Sequence, residues 1–313
     1  MKALGGLSAS VLLIFTLHAC VQSAASPSGQ PFSPTPKNSA SVGEQAQSSR
    51  DLDQRPPACT KVGQRWISPR DGVTLACVPA GEFLMGSTDG DPQARSEEMP
   101  QHRVYLDAFW IDRTEATNAN FTKCVADEVC HPRRYTPYLD GVTSATRLDY
   151  YSNPAYANYP LILYDADEAQ TYCRWAGRRL PTEAEWEKAA RGTDGRIFPW
   201  GDTPGCAKAT YFGCVKDTIP VDSLETGASP YGALNMAGNV WEWVADWYDP
   251  SYYSRSMIHN PMGPAMGKGH VLRGGGWRSI DQDLRVTARS SGPVEHYFDN
   301  QIGFRCAMSD GAP

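Results

Sequence analysis

The sequence predicts one loop-rich α+β domain, irregular and low in regular secondary structure, held behind an export signal and a tether. Three observations predict it. From Cys59 onward, Gly, Pro and Trp are spread throughout, with no second low-complexity stretch and no internal repeat. Helix signals are confined to short segments, and the remaining apolar residues come in brief runs bounded by Gly and Pro. A composition of 41% hydrophobic and 20% charged residues in 313 is that of a globular chain. The formal charge of −6 comes without a basic cluster, so the phosphate-neutralising surface that nucleic-acid binding requires is missing. No nucleic-acid partner is expected.

Residues 1–19 read as a lipoprotein signal peptide. Lys2 precedes an apolar run from Leu4 to Leu17 that is too short to span a bilayer. The run ends in Leu17-His18-Ala19-Cys20, where a small residue precedes an isolated cysteine suited to lipidation. Cys20 is therefore the expected anchor, which makes the membrane a partner through lipid. Val21 rather than Asp follows it, which points to the outer membrane or periplasmic face of a Gram-negative envelope. Residues 20–57, rich in Ser, Pro, Gln and Ala, show neither helical nor strand periodicity and read as a disordered tether. Residues 58–310 form the expected domain.

Nine cysteines in an exported chain become eight once Cys20 is assigned to lipid. An even remainder suits four disulfides. Spacing favours Cys124 with Cys130, Cys206 with Cys214 and Cys59 with Cys77, leaving Cys173 and Cys306, although spacing alone leaves the pairing open. Metal binding by cysteine is disfavoured, because there is no CxxC pair and the six histidines are scattered.

Within the domain, a helix is predicted over about Asp165–Ala176, stopped by Gly177 as a left-handed cap. A second starts at a capping box, Thr182 with Glu185, runs through EAEWEKAAR and ends at Gly192. A third is predicted near Asn118–Ala126. Short strands are expected in the runs Val104–Ile111 and Val271–Leu272.

A set of motifs occurs in order across residues 60 to 308: VPAGEFLMGS from Val78, EMPQHRV from Glu98 and DRTEATN from Asp112. AQTYCRWAGRRLPTEAEWEKAARG follows from Ala169 and FPWG from Phe198, then NMAGNVWEW from Asn235, RGGGW from Arg273 and GFRCA from Gly303. This combination resembles the formylglycine-generating-enzyme, or sulfatase-modifying-factor, family. The resemblance implies that family's variant of the C-type-lectin fold. It also implies a Cys173–Cys306 bridge, since the family joins the cysteines of its YCxWAG and GFRC segments.

Family enzymes oxidise a sulfatase cysteine to formylglycine with copper held by two cysteines after the RGGS-aromatic segment, thiolates being soft ligands suited to Cu(I). Here Ser279 stands at the first of these positions and Leu284 near the second. The flanking Ser and His of the family are replaced by Gly276 and Ile280. No catalytic residue and no copper are therefore expected. A non-haem iron site would have to draw on His259, His270 and His296 with Asp281, Asp283 and Glu295, which read more simply as solvated loop residues. The family's calcium pattern maps onto Asn235, Gly238, Val240 and Glu242, two side chains and two carbonyls, and hard oxygen ligands suit Ca²⁺. At the family's second calcium position the Asn is Thr210.

Trp175, Trp186, Trp200, Trp241, Trp243 and Trp277 lie inside these motifs and are expected in the core. The tyrosine-rich insertion Tyr135–Tyr159 suits either a contact surface or a packed lid. Two functions compete. One is a non-catalytic binding or scaffold module with a protein or glycan ligand. The other is a divergent oxidoreductase or maturation factor acting on exported proteins.

Overall fold

The computed structural model describes residues 55–132, 147, 149–163, 165–292 and 300–311. The signal peptide, Cys20 and most of the tether lie outside the described residues. Glu295, His296, residues 135–146 and residue 148 do too.

Among the described residues, ten strands and three α-helices form, joined by long loops and short 3₁₀ turns. The first four-stranded sheet runs β1 (Arg65–Ile67), β2 (Thr74–Val78), β5 (Phe109–Asp112) and β10 (Ala307–Ser309), all antiparallel. A two-stranded ribbon pairs β3 (Gly81–Met85) with β4 (His102–Leu106). The second four-stranded sheet runs β8 (Arg289–Ser291), β7 (His270–Arg273), β6 (Trp241–Trp247) and β9 (Ile302–Phe304), with β6 and β9 parallel. The short strands expected in the run Val104–Ile111 are β4 and β5, which belong to different sheets.

The three predicted helices form close to their expected bounds. Helix α1 (Asn118–Ala126) starts at a capping box between Thr117 and Asn120. Asp165 caps α2 (Ala166–Trp175) by accepting from the amides of Asp167 and Glu168. Its far end is a Schellman motif: Gly177 is left-handed at φ 74°, its amide bonds to Arg174 O and that of Arg178 to Cys173 O. Thr182 and Glu185 form the expected reciprocal box at α3 (Glu183–Arg191).

Helix α3 is buried at all nine positions although five of its residues are charged. Burial of such charge requires partners, and each is present. Glu183 chelates Arg289 through two contacts of 2.7 and 2.8 Å. Glu187 accepts from Arg273 at 2.6 Å, Glu185 holds Arg179 at 2.6 Å, and Lys188 donates to the carbonyls of Pro79 and Gly81. Around this helix the apolar core gathers Val78, Phe83, Val104, Phe109, Ile111, Trp186 and Val244.

All four disulfides join as spacing favours: Cys59–Cys77, Cys124–Cys130, Cys173–Cys306 and Cys206–Cys214. Of the tryptophans expected in the core, Trp186, Trp241, Trp243 and Trp277 are buried, whereas Trp175 and Trp200 are half-exposed at its margin. Within the described part of the tyrosine-rich insertion, packing prevails. Tyr150 is fully buried, donates to Pro160 O at 2.6 Å and contacts the rings of Tyr151, Tyr156 and Tyr159.

Candidate functional site

Beyond β7 the chain enters the stretch where the family would hold its metal. Gly274 and Gly275 take φ of 93° and 72°, which side-chain-bearing residues rarely adopt. A Cβ on Gly274 would sit 3.0 Å from the Trp186 ring, and one on Gly275 would meet Leu284 at 2.9 Å. The glycine run thus lets the loop lie flat on the core.

The two degenerate positions then part company. Ser279 is buried and closes a turn: its Oγ accepts from the Gly276 amide at 3.0 Å, and its own amide bonds to Gly276 O. Ile280 is exposed. Leu284 is fully buried in an apolar cluster with Phe198 and Ala237, flanked by Trp200 and Tyr211. A hydroxyl held in a turn and an alkyl side chain in a core offer no soft ligand. Every cysteine among the described residues is in a disulfide, so none supplies a thiolate from elsewhere.

The 3₁₀ turn Asp281–Leu284 is clamped from outside by the loop between β3 and β4. Arg95 pairs with Asp283 at 2.6 Å and Gln282 Nε2 donates to Gln93 O at 2.9 Å. Arg285, buried, binds both oxygens of Glu98 at 2.5 and 2.7 Å and reaches Asp91 at 3.0 Å. This clamp fixes the turn through a charge network.

The expected calcium corner lies where the Asn235–Glu242 segment meets Glu115. Asn235 is left-handed at φ 53° and buried, and its Nδ2 donates to Glu115 Oε2 at 2.9 Å and Val221 O at 2.8 Å. Its Oδ1 is buried with no hydrogen-bond partner. An orphaned buried oxygen fits a cation ligand. Glu242 does not fit that role. Its two oxygens accept from Arg305 at 2.6 and 2.7 Å and from Trp186 Nε1 at 2.8 Å, and the guanidinium opposes a second cation there. The acidic group sequence reasoning missed is Glu115, whose carboxyl is pushed up to about 7, by burial first and by the negative charge of Glu242 as well. Asn239 Nδ2 supplies its second contact at 2.8 Å. Glu115 lies in the DRTEATN segment, but no spacing ties it to Asn235, 120 residues further on. Thr210, at the second calcium position, uses its carbonyl to accept from Asn239 N.

His259 tilts against Tyr105 and His270 stacks on Trp247. Among the described residues no group of three or more His, Cys, Asp or Glu side chains is arranged to hold a metal. A cavity of about 510 Å³ is lined by Leu106, Leu180, Met262, Arg174, Arg179 and Glu185, among others.

The two irregular sheets, the buried polar helix and the loop-dominated core define a C-type-lectin-like fold of the formylglycine-generating type. Residues 68–310 match the sulfatase-modifying factor enzyme 1-like domain. The formylglycine-generating enzyme of Streptomyces coelicolor is 36% identical over 286 residues, covering 76% of this chain and 90% of that protein. A Chlamydia caviae serine/threonine-protein kinase, pkn1, is also 36% identical, over 244 residues, and there the chain spans only 37% of the relative's length. Among solved structures, PvdO from Pseudomonas aeruginosa superposes with a TM-score of 0.66 at 24% identity, covering 80% of this chain and 99% of that one. The chain belongs to the formylglycine-generating-enzyme, or sulfatase-modifying-factor, family.

Proposed function

We propose that this protein is a non-catalytic binding or scaffold module of its family, exported, anchored by lipid on Cys20 and stabilised by calcium. The single observation that carries the reading is the fate of the two thiolate positions, with Ser279 consumed by a turn and Leu284 by the core. The first 19 residues would be removed and 20–57 would tether the domain of 58–310 to the periplasmic face or outer membrane of a Gram-negative envelope. Asn235 Oδ1 with the carbonyls of Gly238 and Val240 would hold the calcium, with Glu115 rather than Glu242 as the nearby carboxylate. Bound there, Ca²⁺ would supply structural neutralisation of buried negative charge. The ligand class is a protein or a glycan.

The competing reading, a divergent oxidoreductase or maturation factor, draws on the 36% identity to an enzyme. Purified mature protein separates them. Expected are no turnover of a CxPxR peptide, no stoichiometric copper or iron, and a melting temperature raised by millimolar calcium and lowered by chelation. Peptide conversion, or a redox metal at one per chain, would overturn the binding-module reading.

A further inference from the structure

The four disulfides are not equivalent. Six of the eight paired cysteines, Cys59, Cys77, Cys124, Cys130, Cys173 and Cys306, are buried, the least covered being 4% exposed. Cys206 is exposed and Cys214 half-buried. We propose that the Cys206–Cys214 bridge is a thiol–disulfide exchange site for an external dithiol, and that the other three bridges are structural. The proposal is independent of whether the domain is catalytic.

Three features of the loop support it. An attacking thiolate needs a line to one sulfur, and the solvent-facing Cys206 offers one that the buried cysteines do not. The leaving sulfur departs faster as a stabilised thiolate. Lys216 lies two residues beyond Cys214 and Lys208 two beyond Cys206, where Lys208 sits 6.0 Å from the Trp200 ring. Finally, the loop keeps its place without the bridge. Thr210 O accepts from Asn239 N at 2.8 Å, Phe212 N donates to Ser279 O at 2.9 Å, and Thr226 Oγ1 donates to Ala207 O at 2.6 Å. Opening the bridge therefore leaves the loop anchored over the Ser279 turn and the domain folded.

The exchange balances as follows. A thiolate of the external dithiol attacks Cys206 Sγ, the Cys206–Cys214 bond breaks, and Cys214 leaves as a thiolate that takes a proton from water. The second thiol of the partner, losing its proton, attacks the mixed disulfide, releases Cys206 as a thiol and leaves the partner as a disulfide. Two electrons pass from the dithiol to the bridge.

The test uses the full chain under native conditions. Free thiols are first blocked with N-ethylmaleimide, which removes Cys20 from the readout. Dithiothreitol is added, newly exposed thiols are trapped with iodoacetamide over time, and peptides are mapped by mass. Labelling of Cys206 and Cys214 at least about tenfold faster than any other cysteine is expected, with the circular dichroism spectrum unchanged. The K208E/K216E variant should slow that labelling severalfold. Simultaneous labelling of all eight cysteines overturns the proposal. So does earlier labelling of another pair, opening of 206–214 only when the spectrum is lost, or a wild-type rate in the charge-reversed variant.

Discussion

Replacing Arg273 with Met tests whether this domain is held together by paired buried charge. The Arg273 side chain is fully buried, and its guanidinium donates to Glu187 Oε2 at 2.6 Å. It also donates to the carbonyls of Val286 at 2.7 Å, Thr287 at 3.0 Å and Ala288 at 2.7 Å. Methionine keeps most of the aliphatic stem, so the volume lost is small and the cost is polar. Removing one partner of a buried ion pair costs about 3–5 kcal/mol, because the other charge is left uncompensated. Each orphaned carbonyl adds about 1–3 kcal/mol unless water or a local shift satisfies it. With water or a local shift satisfying most of the carbonyls, the loss should be about 5 kcal/mol, comparable with the whole stability of a domain at the low end of about 5–15 kcal/mol. Glu187 retains only the Gly86 amide at 2.8 Å and Arg191 at 3.2 Å. Urea unfolding at neutral pH gives the change directly. The R273M/E187Q double variant isolates the coupling between the two side chains, and its loss should fall short of the sum of the two single losses by at least about 1 kcal/mol. A loss under about 1 kcal/mol for R273M, or strictly additive losses, would refute the reasoning.

Two further outcomes follow from the same interior. Asp112 is pushed up to about 7, by burial first and with the charge of Asp71 adding to it, and Asp246 to about 8 by burial and then by Glu183. A folded-state pKa above the unfolded value means the native state holds more protons in between, so stability is full below about pH 4 and falls as pH rises towards 7–8. Melting temperature should therefore decline between about pH 5 and pH 7.5, and D246N should flatten the upper part of that decline; a rising profile, unaltered by D246N, would contradict it. Loop closure separates the disulfides: Cys173–Cys306 spans 133 residues and Cys206–Cys214 spans 8, so pairwise alanine replacement should cost about 5 and about 2.5 kcal/mol by the chain-entropy model. Urea midpoints of the two double variants in the reverse order would sink that account.

What the sequence determined is local. Thr182 and Glu185 specify a helix start because both reciprocal bonds lie within four residues. Gly177 specifies a stop because a left-handed residue is needed at that one position. The loss of thiolates at positions 279 and 284 is a matter of residue identity, and so is family membership, carried by motifs in order along the chain. What only the tertiary structure decided involves partners far apart in sequence. Helix α3 carries five charges in nine residues, yet it is interior because Arg289 and Arg273 reach it from about 106 and 86 residues away. Glu242 fits a calcium pattern by spacing, but Arg305, 63 residues on, takes both its oxygens, while Glu115 arrives beside Asn235 from 120 residues upstream. The clamp of Glu98 on Arg285 spans 187 residues. A charge is tolerated in a dry interior only if its counter-charge is brought within bonding distance. That distance is set by how the sheets and loops pack, and no spacing along one segment encodes it.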